Sequence, residues 1–214
     1  MADAIDICNL ALNRIGKRAS VSNIDPPDGS DESYSCARFY PLALQTILNA
    51  HNWAFATRRA SLAKMANVDA SPWRYGYALP SNCLRVINLQ LSDAHHPTGF
   101  PERWFADGQP IEFEVVNGGS SLMLLTNVEK PVARYIMNNP PESFFSATFS
   151  DALAWLLASY LAGLTIRGET SFNYMTMCYR QYEATLKLAA QQDSSQTKMR
   201  IRRIPYAVRS RHGC

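Results

Sequence analysis

The sequence is poor in charge, in histidine and in paired cysteine. Of its 214 residues only 18% are Asp, Glu, Lys or Arg, against roughly 25% in ordinary soluble domains. Interfaces shed Lys and Glu and keep Tyr and Arg. A low-charge chain with 10 tyrosines therefore reads as one that covers part of its surface in an oligomer. Cys8, Cys36, Cys83, Cys178 and Cys214 stand singly. An odd number without C-x-x-C spacing argues against a disulfide framework or a cysteine zinc site and for a reducing compartment. The four histidines are His51, His95, His96 and His212. His95 and His96 are adjacent, so they point apart, and no H-E-x-x-H accompanies them. His51 follows a helical pattern whose C-terminal end tolerates an imidazolium. The strongly apolar stretch at 152–164 falls short of the roughly 20 residues that span a bilayer. The N-terminus has no basic segment before an apolar run, so no signal peptide is expected. G-x-S-x-G, G-x-G-x-x-G and the P-loop pattern are all missing. These absences lead to an expectation of no metal and no cofactor.

What is present is hydrophobic, at 47%, enough for one sizeable core or one domain with an insert. The net charge of +3 is unevenly placed. Residues 193–214 hold six basic side chains against Asp193, a local +5, which leaves the preceding 192 residues at −2. The body is slightly acidic and carries a basic tail.

The apolar spacing predicts a helix over 3–16, stopped by Gly16, and a second to about residue 50, capped by Asp28, Ser30 or Asp31. Pro41 lies inside the second pattern and predicts a kink or break near Phe39 and Tyr40. After Pro80 the period changes. Leu84 and Val86 fit a strand. Residues 110–138 are the clearest β region, with a hairpin turn at Asn117-Gly118-Gly119, an earlier turn at Asp107-Gly108, and a further strand over 132–137. Pro140-Pro141 ends it. Ser143 or Ser146 then caps a helix over about 147–166. Gly163 and Gly168 punctuate before a last helix over about 169–191, with Phe172, Met175, Met177, Cys178, Tyr182, Leu186 and Leu188 as its apolar positions. The expected fold is α+β and mainly helical: an antiparallel helical bundle (1–83 and 139–192), a small antiparallel β insert (84–138) and an extended basic tail (193–214).

Three clusters are candidates for function. The aromatic segment holding Trp53, Phe55, Trp73, Tyr75 and Tyr77 is by default core, because aromatics bury large areas. With Arg58, Arg59, Trp73 and Arg74 it also has the composition of a subunit interface. Stacked aromatics beside arginines could hold single-stranded nucleic acid, the weakest reading for an acidic body. The carboxylates Glu102, Asp107, Glu112, Glu114, Glu129 and Glu142 could supply a glycosidase pair. Glu112 and Glu114 have the spacing of one strand face, about 7 Å apart, which any solvent-facing strand also shows. The tail mixes Lys198, Arg200, Arg202, Arg203, Arg209 and Arg211 with Met199, Ile201, Ile204, Tyr206 and Val208. A merely solvating tail needs no such apolar residues, so it reads as a segment that orders on a partner, with salt-sensitive contacts from Arg202 and Arg203.

An ordered series of short matches resembles one family. Ala11-Leu-Asn-Arg-Ile-Gly16 is similar to its first helix. Tyr40-Pro41, then Leu44, Leu48 and Trp53-Ala-Phe-Ala-Thr-Arg-Arg-Ala-Ser-Leu62, resemble its "W-x-F-A" helix end. Tyr75-Gly-Tyr-Ala-Leu-Pro80 with Cys83-Leu-Arg-Val86 resembles its "Y-x-Y-x-L-P-x-D-C-L-R-V" strand, with Asn82 where an aspartate is common. Arg134-Tyr135-Ile136 and the long helix after Phe149 also fit. The likeness, over about 3–190, is to the podovirus-type head-to-tail adaptors, or tail tubular protein A. It implies a structural virion protein rather than an enzyme. Such proteins form a dodecameric ring under the portal, close the DNA-filled head and seat the tail protein, while duplex DNA passes through the lumen without sequence-specific binding. It also implies residence at the virion head–tail junction, with host cytoplasm during assembly, and no membrane partner. The tail residues 198–204, 206, 209 and 211 would grip the portal, and the β module would meet the downstream tail. The competing reading is a tail-associated peptidoglycan hydrolase working through a carboxylate pair.

Overall fold

The computed structural model describes residues 3–18, 20–66, 72–91, 105–106, 109–119, 121–165 and 168–196. The first helix, α1 (Ala4–Arg14), begins with a capping box: Asp3 accepts from the Asp6 amide at 2.7 Å and Asp6 accepts from the Asp3 amide. It ends at Gly16, whose φ of 78° is open to glycine at little cost. The second, α2 (Asp31–Ala50), is capped by the Ser30 hydroxyl, which accepts from the Ser33 amide at 3.1 Å. It runs unbroken through Pro41. The expected break does not form: Pro41 lies on the exposed side, where water can solvate the carbonyl it leaves without a donor.

The loop between these helices is organised by Asp28. Its carboxylate accepts from the Ser22 and Ser30 amides at 2.8 and 3.0 Å and from both serine hydroxyls. These bonds hold its pKa well below the usual carboxylate range. A depressed folded-state pKa contributes stability that is present above about pH 4 and lost as pH falls towards the lowered value. Asp28→Asn should therefore flatten the acid side of a plot of denaturation midpoint against pH. Equal acid-side slopes in the two proteins would contradict this role.

Two longer helices follow the β region. In α3 (Ala147–Thr165) the Ser146 hydroxyl accepts from the Phe149 amide at 3.2 Å. The last helix is α4 (Glu169–Gln196). They run antiparallel: the Ser171 hydroxyl donates to Ala162 O at one end and Thr148 donates to Gln192 at the other. Gly163 lies inside α3 rather than ending it, and a Cβ there would meet Met175 Sδ at 3.2 Å. Its missing side chain lets the helices close up. The window Ala147–Leu164 is apolar enough to cross a membrane, yet 61% of it is buried inside the protein. Because α3 packs on α1, α2 and α4, it reads as a core helix, the usual place for one apolar on most sides. Arg14 fixes α1 to α3: it pairs with the Asp151 carboxylate, donates to Asp151 O at 2.9 Å, and stacks 4.0 Å from the Trp155 ring centre.

Strands begin at Thr57, well ahead of the boundary at 84 expected from the sequence. One sheet joins β1 (Thr57–Ser61), β9 (Val132–Met137) and β4 (Cys83–Gln90) in the order β1-β9-β4, all antiparallel. A second joins β2 (Ala63–Lys64), β3 (Tyr75–Ala78), β8 (Leu122–Thr126) and β7 (Phe113–Asn117). A small ribbon pairs β5 (Phe105–Ala106) with β6 (Gln109–Pro110). The β7–β8 hairpin turns at Gly118, whose amide donates to Ser121 O, and Gly119, at φ 90°. Asp107 and Gly108 lie outside the described residues, as do His95, His96, Glu102 and His212. Leu62, Tyr77, Leu89, Leu124 and Ala133 belong to one buried cluster that joins the two sheets. The class is thus mixed α and β, with four α-helices and antiparallel sheets among the described residues and less helical dominance than expected.

The helical core and the first sheet meet at the segment 51–57. The Trp53 ring is 1% exposed, and its indole donates to Ile47 O at 2.8 Å. It sits edge-on to Phe149, with centroids 4.9 Å apart, and Phe55 packs on Phe145 and Phe149. The end of α4 closes the same junction. Both Asp193 oxygens accept from the Ala54 amide at 3.0 Å, and one lies 3.3 Å from His51 Nε2. Arg85 donates to His51 O and to Asn52 Oδ1, supplying donors at the C-terminus of α2. The helix thus continues past 192, and Asp193, which the sequence places in the tail, belongs to the body.

Candidate interaction surfaces

The four residues expected at a subunit interface do not form one patch. Arg58 and Arg59 are adjacent and exposed on β1, so they leave opposite faces of the sheet. Trp73 and Arg74 precede β3 in the other sheet. There the Trp73 indole donates to Glu114 Oε2 at 2.9 Å, and the Arg74 amide donates to Asn127 Oδ1. Tyr77, fully buried, donates to Val128 O and accepts from the Lys130 amide. The aromatic segment is therefore mostly core and junction.

The carboxylate pair is not assembled as the spacing suggested. Strand β7 starts at Phe113, so Glu112 lies ahead of it. The Glu112 carbonyl accepts from the Thr126 hydroxyl, while the Glu114 carboxylate is engaged by Trp73. Two surface hollows are formed by residues 79, 83–86, 115 and 122, and by residues 172, 173, 176, 177, 180 and 181. Neither is lined by a carboxylate or an imidazole. Among the described residues no three His, Cys, Asp or Glu side chains gather around a point where a metal could sit.

Two surfaces stand out. The first is the start of α4 beside the end of α3. Residues 170–177 include no buried side chain, although Phe172, Met175 and Met177 are among them. Phe172 is 71% exposed, Leu164 59% and Tyr179 48%. The burial of α4 begins only at Cys178 and Tyr182. The sequence pattern gave this helix an apolar set, but the single chain covers only its later part.

The second surface is one face of the β1-β9-β4 sheet. Cross-strand register places Arg59, Arg134 and Asn88 side by side, with Thr57, Ile136 and Arg85 in the next rank. Burial lowers the pKa of Arg134, and the nearby Arg59 lowers it further. The Nε atoms of Arg134 and Arg85 and Oδ1 of Asn88 are buried without a hydrogen-bond partner. Among the described residues the pairs of Lys or Arg with a carboxylate are Arg14–Asp151 and Lys17–Glu32, so no carboxylate of a described residue pairs with this face.

The portal-gripping tail expected from Lys198 to Arg211 lies outside the described residues. Neither the models of known families nor the curated proteins give a match to this chain.

Proposed function

We propose that this chain is the subunit of a phage head-to-tail adaptor ring, which docks under the portal, closes the DNA-filled head and seats the tail. The observation that carries this reading is the uncovered apolar start of α4, on a 28-residue helix whose far end is clamped by Asp193. An apolar helix face of this kind serves as an interface once a second copy covers it. A head-to-tail contact between copies closes into a ring when its rotation closes. The ordered motif resemblance in the sequence supplies the family, and the basic, apolar-studded segment after α4 supplies a docking strand of the kind that orders on its partner. In this reading Arg58 and Arg74, both exposed, serve contacts between subunits, and the two-sheet unit faces the downstream tail protein.

The test is truncation, and the place of the cut matters. Removing residues from 193 would take away the Asp193 clamp on Ala54. Removing 197–214 leaves every described contact in place. The shortened chain is expected to keep its far-ultraviolet dichroism and its melting midpoint while no longer sedimenting with portal rings. Electron microscopy of the intact chain with portal should show a ring of subunits beneath it. Undiminished portal binding by the shortened chain, or no ring with the intact one, would overturn the reading.

A further inference from the structure

We propose that the face of the β1-β9-β4 sheet bearing Arg59 and Arg134 is a phosphate-contacting surface for the backbone of nucleic acid. Arg134 stands on the central strand, half-buried, with Arg59 directly opposite on the exposed edge strand. Directly paired side chains stand about 5 Å apart at Cβ, where like charges repel. Among the described residues nothing relieves this: the shift of Arg134 comes from burial and from Arg59. Among the described residues no carboxylate pairs with either guanidinium, which leaves the two set up for an anion from outside.

The rest of the face indicates which anion. Its remaining positions, by register, are Thr57, Ser61, Arg85, Asn88 and Gln90, with Val132 and Ile136. None is acidic. Gln90 and Ile136 are buried, but Ser61 is exposed and Thr57 and Asn88 half-buried, hydroxyls and an amide of the kind that join Arg in contacting phosphate oxygens. The guanidinium fork matches phosphate with two parallel hydrogen bonds. A phosphodiester lying between Arg59 and Arg134 accepts from both and offsets their repulsion. The contact carries no base information, so binding is indifferent to sequence and falls with salt. The proposal stands on the sheet alone and does not require the ring.

The probe is a short mixed-sequence DNA duplex, titrated against the full chain by fluorescence anisotropy over a range of salt. The double variant Arg59→Gln with Arg134→Gln is expected to lose about tenfold or more in affinity, and its salt slope to fall by about two. Arg58→Gln, on the opposite face of the same strand, should leave affinity within about twofold. Thermal melting of the double variant should be unchanged or raised, because a repulsion has been removed, so unfolding cannot imitate the loss. Equal losses from Arg58→Gln and either single variant would mean bulk charge only and would overturn the proposal. So would unchanged duplex binding by the double variant. Stabilisation by inorganic phosphate without pair-dependent duplex binding would reject nucleic acid as the ligand. Loss of self-assembly in the double variant, with duplex binding intact, would assign the pair to a neighbouring copy and also overturn it.

Discussion

Replacing Trp53 by alanine is expected to cost about 3–5 kcal/mol, a large part of the roughly 5–15 kcal/mol that holds a domain folded. The reason is position as much as size. Trp53 is 1% exposed and touches rings on both sides of the junction: His51 and Phe149 edge-on at 4.9 Å, and Phe55 at 6.0 Å. Its indole also donates to Ile47 O near the end of α2. Alanine opens a cavity between the helices and the first sheet, and the rings around it cannot all collapse inward. Trp53→Phe keeps most of the ring contact and loses the indole donor, for a smaller cost of about 1–3 kcal/mol. Urea denaturation followed by helical dichroism measures both. A Trp53→Ala protein within about 1 kcal/mol of the parent would show that the junction does not hold the helices and the first sheet together.

Phe172→Glu should do the opposite: leave the fold and remove the assembly. At 71% exposure the ring contributes little to the isolated chain, and surface changes of this kind usually fall within about 0.5 kcal/mol. A charge at the centre of an apolar contact between copies must be desolvated without a partner, which costs far more. The expected result is a parent-like melting curve together with loss of ring formation on portal, read by sedimentation velocity and negative-stain imaging. Met177→Glu, next along the same uncovered stretch, should behave alike. Rings that form normally with both changes would place the interface elsewhere on the surface.

Much of the fold was legible from the sequence where chemistry punctuates it. The strand Val132–Met137 was read to the residue because Pro131 and the polar Asn138 bound a β-rich run. Ser30 and Ser146, each one of the two or three cap candidates the sequence offers, cap their helices. The strand Thr57–Ser61 escapes the sequence reading for a physical reason: it carries two adjacent arginines on a sheet edge and shows no alternation, while Tyr75–Ala78 is legible only through the motif resemblance because its glycine breaks the pattern. The last turns of α4 were missed because they are polar, and they are helical where Asp193 and Gln192 find partners on Ala54 and Thr148. Such contacts, far apart along the chain, leave no periodic trace. The candidate surfaces divide in the same way. The apolar residues at the start of α4 are plain in the sequence, but that they face outward is a property of packing. The pairing of Arg59 with Arg134 depends on the register of two strands separated by most of the β region, and nothing local records it.

The Asp193 clamp has a consequence for how the molecule yields. It joins residue 193 to residue 54, so the end of the last helix, the end of α2 and the beginning of the first sheet open together or not at all. The final turns of α4, which by composition should fray independently, instead share the protection of the interior amide they cover. A load applied at the far end of that helix is delivered to the seam between helices and sheet.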